Sequence, residues 1–376
     1  MQRKLIAFLG AGPYHETTYA VDDKQYRSKV AFMPIFDHFS PVNSLYVIGT
    51  RESCWEMLTD FPYNRIEIPY GRNEADFWKM FDILTDKIDI KHSEVIFDIT
   101  HCFRAIPLFT AIYIRFIRYM EPTAHFSHIF YGSFERDIPV TPVVDLAPVL
   151  ELLDWIDATN SFIKYGELEE LSNKIKTIND RVWKEHSNAK PRTLGEFSKR
   201  LRRLANLSRL TYIPLFSETS KELSDLLKDK TFREESLRFL KPFSLLSDTL
   251  LRFTDRFTKP LLWETHLEVA RWYLENKRPT QALLVLREVI LTYLCEKDGC
   301  DAYDYKARDQ REKKLNEERK VSRDPVVKLW GKVTDARNRV GHALMKRHKK
   351  DISVNKAITE VDHLMKETEK VLKLLL

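Results

Sequence analysis

The segment Arg337–His342 (RNRVGH) places an arginine and a histidine five residues apart. A histidine in such a pair exchanges a proton with the 2′-hydroxyl of RNA or with its leaving 5′-oxygen. The arginine stabilises the negative charge of a phosphorane-like transition state. Candidate catalytic residues are therefore Arg337, Asn338 and His342, with no metal ion. The same spacing recurs at Arg181 and His186, in a charged segment that we interpret as surface.

The geometry of a helix limits what this motif does within one chain. Residues five apart in a straight helix differ by about 140° in azimuth, whereas Asn338 and His342, four apart, share a face. Arg337 and His342 thus form one site only if Gly341 interrupts the helix or if two chains each contribute half. Taken alone, the motif favours a plainer interpretation, a helix C-terminus with solvated basic residues.

A second group of polar residues, Asp98–Arg104 (DITHCFR), lies between an apolar run and an apolar helix. Thr100, His101 and Arg104 would bring a hydroxyl, an imidazole and a guanidinium to one strand end near helix N–H groups. That grouping suits an anion or a nucleotide. In the alternative, Asp98 or Thr100 caps the helix, His101 is an interior residue and Arg104 is solvated. The residues alone leave both interpretations open.

A glycine turn, Gly10-Ala11-Gly12, follows the first apolar run. Glycine lets the backbone approach a phosphate or a base closely. Thr17 and Thr18 offer hydroxyls just beyond it. Without a third glycine and an acidic partner the turn is weak evidence for a dinucleotide cofactor, and a simple strand-ending turn explains it equally well.

The first 150 residues alternate short apolar runs with helical spacing. Runs at 4–9, 44–49, 65–69, 95–99, 128–131 and 141–145 predict strands, and 75–88 and 105–119 predict helices. This alternation predicts a mostly parallel sheet covered on both faces, whose ligands sit at the carboxyl ends of strands. Thr50 and Arg51, which follow the second run, join the candidate ligand residues for that reason.

Beyond residue 146 the helical period takes over. The predicted helices include 150–164, 168–183, 194–207, 222–227, 234–257, 263–275, 279–297, 326–340 and 354–376; the highly charged stretch 307–323 reads as a solvated loop or helix face. The fold class is therefore α/β followed by all-α. We expect an N-terminal domain over 1–150, a helical linker or insertion over 151–260 and a C-terminal helical domain over 261–376.

Composition supports this organisation and excludes several classes. Only 10 of the 376 residues are glycine, which favours a helix-rich protein, and the net charge of +6 permits a polyanionic partner. No apolar run is long enough to span a membrane, and the N-terminus turns polar too soon for a secretion signal. Cys54, Cys102, Cys295 and Cys300 form no CxxC pair, so we expect no zinc site and a cytoplasmic protein.

Two of these motifs, in this order, resemble those of the CRISPR-associated CARF–HEPN ribonucleases of type III systems. Asp98-Ile99-Thr100-His101, with Phe103, Arg104 and Pro107, resembles the DxTHG signature of the CARF nucleotide-sensing domain. Arg337-Asn338, followed by Val340, Gly341 and His342, resembles the HEPN RNxxxH motif. One departure is Cys102, which stands where the signature has glycine and leaves ring size and affinity open.

The resemblance implies a Rossmann-like CARF domain and a helical HEPN domain in a cytoplasmic homodimer. Each CARF domain would form half of a site for a cyclic oligoadenylate. The ligand residues it implies are Gly10, Ala11, Gly12, Thr17, Thr18, Thr50, Arg51, Thr100, His101, Phe103 and Arg104. The two HEPN domains would share one site for cutting single-stranded RNA without a metal or other cofactor, leaving a 2′,3′-cyclic phosphate and a 5′-hydroxyl.

Two other functions compete with this one. A non-catalytic regulator would bind nucleic acid through its helical half, with a helix-turn-helix within 194–257. Its basic cluster would be Lys199, Arg200, Arg202 and Arg203. An NAD-dependent enzyme lacks both the third glycine and the acidic residue of that fingerprint, and ranks below the other two.

Overall fold

The computed structural model describes residues 1–59, 61–103, 105–135, 137–185, 190–341 and 353–374. The chain divides into two compact units, Met1–Leu153 and Asp154–Leu376. The first unit is α/β and the second is helical, so the predicted fold class is confirmed.

An eight-stranded sheet forms the centre of the first unit. Its strands are β1 (Gln2–Leu9), β2 (Thr17–Val21), β3 (Lys24–Ser28), β4 (Ser44–Gly49), β5 (Asn64–Glu67), β6 (Ser93–Asp98), β7 (His125–Gly132) and β8 (Val140–Asp145). They lie in the order β3-β2-β8-β7-β6-β1-β4-β5. The five strands from β5 to β7 are mutually parallel, whereas β8 runs antiparallel to β7 and β3 antiparallel to β2.

The order of the parallel strands reverses beside β1. The chain moves outward from β1 to β4 and β5, then returns to place β6 and β7 on the other side of β1. In doubly wound sheets, ligands bind outside the carboxyl ends of strands at such a reversal. The carboxyl ends of β1 and β6 are therefore the expected ligand position in this unit.

Both faces of the sheet are buried, as in parallel sheets generally. Along β1, Ile6 and Phe8 contribute to one hydrophobic cluster, while Leu5, Ala7 and Leu9 contribute to the other. Among the described residues, the α-helices that lie wholly within this unit are α1 (Phe32–His38), α2 (Glu74–Lys87) and α3 (Ile106–Met120). Tyr113, Ile114 and Ile117 of α3 are buried in the first cluster.

The sequence did not predict β2, β3 or α1. The strands β2 and β3 form a hairpin around Asp22, whose φ of 49° is in the left-handed region that Asp tolerates better than most residues. The two strands of the hairpin are rich in Lys, Arg, Tyr and Thr rather than in aliphatic side chains. The sequence therefore has no apolar run there from which a strand could be predicted.

The second unit is built from helices. They are α4 (Ala147–Tyr165), which begins before the unit boundary, then α5 (Glu169–Glu185), α6 (Leu194–Leu210), α7 (Ile213–Lys228), α8 (Lys230–Phe239), α9 (Ser247–Asp255), α10 (Leu262–Glu275), α11 (Pro279–Lys297), α12 (Tyr305–Glu318), α13 (Pro325–Gly341) and α14 (Val354–Lys373). The charged stretch 307–323 is therefore mostly helix, with Leu315 as its buried residue.

The single helix predicted over 234–257 is wrong. The chain instead forms α8, a 3-10 turn at Lys241–Leu245, and α9. Pro242 cannot donate the backbone hydrogen bond that a continuous helix requires, and Leu240 leaves the helical region at φ −124° and ψ 51°. The short helix predicted at 222–227 is part of the longer α7.

One hydrophobic cluster runs through the second unit from Trp155 to Leu372. It includes Phe197 and Phe243 as well as Trp263 and Trp330, so side chains on both sides of residue 260 share a core. The predicted division at residues 150 and 260 stays a prediction. Among the described residues, the structure has no helix long and apolar enough to cross a membrane.

Candidate functional site

Three loops that carry predicted ligand residues follow neighbouring parallel strands. Gly10–Gly12 follows β1, Thr50 and Arg51 follow β4, and Ile99–Phe103 follows β6. Because β6, β1 and β4 are adjacent and parallel, these loops share one edge of the sheet. Thr17 and Thr18 open β2, three strands away from β6 in the sheet order.

The glycine turn is packed on one side and open on the other. The N–H of Gly10 donates to the Tyr14 hydroxyl at 2.6 Å, and a Cβ on Gly10 would lie 3.1 Å from the carbonyl oxygen of His101. Around Gly12, no described atom lies within 4 Å of the position a Cβ would take. Gly10 therefore permits close packing of two strand ends, whereas Gly12 borders open space.

Ser53, which the sequence did not single out, joins the loops after β1 and β4. Its Oγ donates to the carbonyl of Leu9 at 2.7 Å and accepts from the N–H of Thr50 at 2.9 Å. The N–H of Cys54 donates to the carbonyl of Gly10 at 3.1 Å. Thr50 is buried, while Arg51 is exposed. The only sequence feature that could have identified Ser53 was its position one turn beyond the end of a strand.

Asp98 and Thr100 fix the end of β6. Asp98 Oδ1 accepts from the N–H of Thr100 at 3.0 Å and from its hydroxyl at 2.5 Å. The same hydroxyl accepts from the N–H of Gly132 at 2.8 Å, which ties β6 to β7. Neither residue caps α3, whose first turn has no side-chain cap. That part of the alternative interpretation of this segment is wrong, because the carboxylate bonds within its own loop.

Burial raises the pKa of Asp98 to about 7, although its two hydrogen bonds from Thr100 lower it. Asp98 is fully buried, and its Oδ2 has no hydrogen-bond partner among the described residues. The carboxyl group therefore holds its proton well above the pH at which an exposed aspartate loses it, and part of the population is protonated near neutrality.

We expect Asp98→Asn to make unfolding less dependent on pH. The raised pKa means that Asp98 costs the wild type nothing below about pH 4, an increasing amount as the pH rises to about 7, and a constant amount above that. Asparagine keeps the acceptor for Thr100 and cannot ionise. In thermal unfolding, the melting temperature of the variant minus that of the wild type should increase between pH 4 and 8. Parallel curves over that range would contradict the raised pKa.

His101 is an interior residue held by the backbone. Its Nε2 accepts from the N–H of Ala31 at 3.0 Å, and its ring lies edge-on to Tyr14 with 4.8 Å between centroids. Burial lowers the pKa of His101 to about 4, so the ring is neutral at pH 7. A neutral imidazole at this edge offers a hydrogen bond or a stacking surface to a ligand and carries no charge. Tyr14 and Ala31 had no signal in the sequence.

Cys102 and Phe103 complete the described part of this segment. The thiol of Cys102 donates to the carbonyl of Ile99 at 2.8 Å, and burial raises its pKa to about 12, so it is an uncharged thiol turned back onto its own loop. The ring of Phe103 lies 5.0 Å from that of Tyr70. Arg104 lies outside the described residues.

Two residues of the predicted catalytic motif lie on the last turns of α13. Arg337 Nη1 donates to Asn338 Oδ1 at 2.9 Å, and the buried Nε of Arg337 has no hydrogen-bond partner among the described residues. Arg339, by contrast, forms an ion pair with Glu360 at 2.5 Å. The helix continues through Gly341, and His342 lies outside the described residues.

Arg337 thus has a neutral partner, and no carboxylate pairs with it among the described residues. Its positive charge is available to a phosphate, whereas that of Arg339 is neutralised. Of the competing pair with the same spacing, Arg181 lies on α5 and His186 lies outside the described residues. In the part of the chain that the structure describes, no group of three His, Cys, Asp or Glu side chains could hold a metal ion.

Comparisons with known proteins find CRISPR-associated relatives. Residues 151–266 match the family model for the second domain of CRISPR-associated protein MJ1674. The CRISPR-associated protein MJ1674 of Methanocaldococcus jannaschii is 26% identical over 309 residues, 80% of this chain and 45% of that protein. This chain thus spans about half the length of its curated relative. The predicted resemblance to CRISPR-associated proteins is confirmed as a similarity of sequence.

A solved structure is also similar. Enterococcus italicus Csm6, bound to cyclic hexa-2′-fluoro-hexa-dAMP, aligns over 99% of this chain and 93% of its own, with 10% identity and a TM-score of 0.45.

Proposed function

We propose that this chain is a cyclic-oligoadenylate-activated endoribonuclease of type III CRISPR defence, acting in the cytoplasm on single-stranded RNA without a metal ion. The observation that carries the proposal is Arg337, a cation with a buried, unpartnered Nε and no carboxylate partner among the described residues. A phosphate oxygen supplies what this guanidinium lacks. The kinship with CRISPR-associated proteins supports the biological setting.

In this mechanism the guanidinium of Arg337 stabilises charge on the phosphoryl oxygens as the 2′-oxygen attacks phosphorus. His342 exchanges the proton of the 2′-hydroxyl or of the leaving 5′-oxygen. The 2′-oxygen forms a new bond to phosphorus and the bond to the 5′-oxygen breaks, which yields a 2′,3′-cyclic phosphate and a 5′-hydroxyl. Asn338 acts as a positioning residue, since its amide oxygen holds Nη1 of Arg337 at 2.9 Å.

The edge formed by the loops after β6, β1 and β4 is the proposed site for the activator. Gly12 borders open space there, and the neutral ring of His101 contacts Tyr14, whose hydroxyl accepts from the N–H of Gly10. An adenine base is uncharged and is bound by hydrogen bonds and by stacking. An edge with backbone N–H groups and uncharged aromatic rings can therefore bind it. Arg51, exposed after β4, adds a positive charge for a phosphate.

Homodimerisation is proposed from the exposed face of α3. Leu108, Ile112, Phe116 and Tyr119 recur at helical spacing, and Leu108, Ile112 and Tyr119 are each more than 60% exposed. A contiguous apolar stripe of this kind marks an interaction surface. A second copy of α3 related by a two-fold axis covers it with the same stripe. Since α3 begins just after Phe103, that axis would also bring two activator edges together.

The competing regulator with a helix-turn-helix has less support. Ile213, Phe216, Leu223 and Leu227 of α7 are all buried. A recognition helix must expose one face to enter the major groove, and the residues of such a face would be polar. The helix that follows the basic cluster packs one face into the core of the second unit, and its exposed face carries Glu218 and Asp225, whose carboxylates repel a DNA backbone.

The experiment that tests this function is a cleavage assay on labelled single-stranded RNA. We expect cleavage only when a cyclic oligoadenylate is added, and we expect it to persist in EDTA. Rings of four and six adenylates should be compared, since the sequence leaves ring size open. Loss of cleavage in chelator, restored by magnesium or manganese, would contradict the metal-free mechanism.

The variant Gly12→Phe tests, in the same assay, whether the activator binds at this edge of the sheet. Because a Cβ at Gly12 meets open space, the substitution leaves packing intact and fills the proposed activator edge. The dose of activator for half-maximal cleavage should rise at least tenfold, with cleavage at saturation near that of the wild type. Glu56→Gln, on the 3-10 turn after β4, serves as a control. An unchanged dose curve for Gly12→Phe would exclude this edge as the sensor.

A further inference from the structure

The helices α5 and α6 enclose a basic groove, outside both sites described above. Reciprocal hydrogen bonds pin the two helices together: Ser172 Oγ donates to the carbonyl of Ser198 at 2.9 Å, and Ser198 Oγ donates to the carbonyl of Ser172 at 3.0 Å. Both serines are buried. On the outer side of this seam lies a groove of 630 Å³. Its walls belong to two helices locked at their contact, so the shape is preformed.

The charges that line the groove are predominantly positive. Lys176 from α5, with Lys199, Arg202 and Arg203 from α6, face one acidic side chain, Asp180. Lys176, Lys199 and Arg203 have no carboxylate partner among the described residues, and Arg202 donates to the neutral amide of Asn173. Four cations against one carboxylate attract a polyanion.

Arg200 differs from the groove cations because carboxylates neutralise its charge. It lies within the same basic run of α6 but forms ion pairs with Glu196 at 2.8 Å and Glu222 at 2.9 Å. It is absent from the lining of the groove. The sequence presents the run as one cluster, whereas the fold neutralises Arg200 and leaves its neighbours without a carboxylate partner among the described residues.

An exposed aromatic ring lies on the same face of α5 as two of the groove residues. Lys176, Asp180 and Trp183 are spaced at four and three residues along α5, so they share a face of the helix. Trp183 is 46% exposed, and the ammonium of Lys190 lies 4.6 Å from its ring centroid. An indole beside a row of cations is the combination by which proteins hold single-stranded nucleic acid without reading its sequence.

We propose that the α5–α6 groove binds single-stranded RNA along its phosphate backbone, with Trp183 stacking on a base. The choice of RNA rests on the proposed function, for which the groove would hold the substrate strand away from Arg337 on α13. Phosphates pair with Lys176, Lys199, Arg202 and Arg203. A duplex hides its base faces from Trp183, which is why the groove takes a single strand.

The test is binding of a fluorescein-labelled 12-nucleotide single-stranded RNA, followed by fluorescence anisotropy. The full chain carries Arg337→Ala so that the RNA is not cut. Adding Lys199→Gln and Arg203→Gln should weaken binding about tenfold or more near 0.1 M salt. It should also reduce the slope of log affinity against log salt by about 1.4, roughly 0.7 for each lost phosphate contact. Trp183→Ala should weaken binding at least fivefold, the low end of stacking on one base.

Lys221→Gln is the matched control, since Lys221 is an exposed lysine on the neighbouring α7 and does not line the groove. It should leave both affinity and salt slope near those of the parent. Lys176→Gln provides a third groove variant on the other helix, and circular dichroism checks that each variant is folded. The proposal fails if the groove variants match Lys221→Gln, or if duplex RNA or an acidic peptide binds more tightly than the single strand. Because binding is measured without cleavage, failure here is distinct from absence of ribonuclease activity.

Discussion

Arg337→Ala should reduce RNA cleavage at saturating activator by about 10²- to 10³-fold, the cost of removing one preorganised group that stabilises transition-state charge. His342→Ala should cost a comparable factor, since general acid–base catalysis contributes about 10²- to 10⁴-fold. Arg337 is half-buried on the last turns of α13 and, among the described residues, hydrogen-bonds its neighbour Asn338, so its removal should leave folding intact. Single-turnover cleavage of labelled RNA measures the effect.

The control for this prediction is the pair with the same spacing elsewhere. Arg181→Ala and His186→Ala should retain near wild-type cleavage, because that pair lacks the neighbouring asparagine. Arg339→Ala tests a second point on α13: Arg339 is neutralised by Glu360, so its loss should cost far less than that of Arg337. If the Arg181 and His186 variants lose cleavage while the Arg337 variant keeps it, the catalytic motif has been misassigned.

Ile112→Glu should convert the proposed dimer to monomer and abolish activated cleavage with it. Burying an isoleucine contributes about 1.5–3 kcal/mol. A two-fold interface contains the substituted residue twice, so the free energy of dimerisation should weaken by roughly 3 kcal/mol or more. At 1.4 kcal/mol for each tenfold change, the dissociation constant should rise at least about a hundredfold. The glutamates add the cost of placing like charges against apolar surface. Sedimentation velocity at micromolar concentration reports the assembly state.

Leu245→Glu is the matched control for this change. Leu245 is 86% exposed in the 3-10 turn before α9 and has no place in the α3 stripe, so its charge should leave assembly and cleavage unaltered. A wild type that sediments as a monomer and still cuts RNA with activator would refute the composite site. A monomeric Ile112→Glu variant with full activity would show that the two chains do not share catalysis.

Coupling between activator and RNA requires a preference for one arrangement of the protein. An activator that bound two states of the dimer equally would shift nothing, however tight its binding. The proposed device is the α3 interface, because the loop that leads into α3 carries proposed activator residues and α3 itself carries the apolar stripe. Activator affinity should therefore fall in Ile112→Glu, where half of the site is missing.

The sequence by itself determined the two halves of the chain and the location of both motifs. Aliphatic runs such as 44–49 and 95–99 became β4 and β6 because strands buried on both faces must be apolar throughout. Long stretches without strand-like alternation, such as 279–297, became helices within a residue or two. The sheet edge proposed for the activator followed from topology, since residues after parallel strands meet wherever the strands are neighbours.

What the sequence left undecided was which side chains are available. Thr100 and His101 read as adjacent ligand groups, yet in the fold Thr100 joins β6 to β7 and His101 accepts a hydrogen bond from the backbone of Ala31. Ser53 connects two loops without belonging to either motif. These roles depend on residues distant in the chain, which no local pattern records.

Tertiary structure alone decided the charge state and partnership of the polar residues. The basic run on α6 is uniform in sequence, but Arg200 is neutralised by Glu222 on the next helix while Lys199 and Arg203 face an open groove. Asp98 holds its proton near neutrality because the sheet buries it, not because of its neighbours in the chain. Local sequence specifies which groups are present, whereas the free energy of a charge depends on the solvent and partners that only the folded chain supplies.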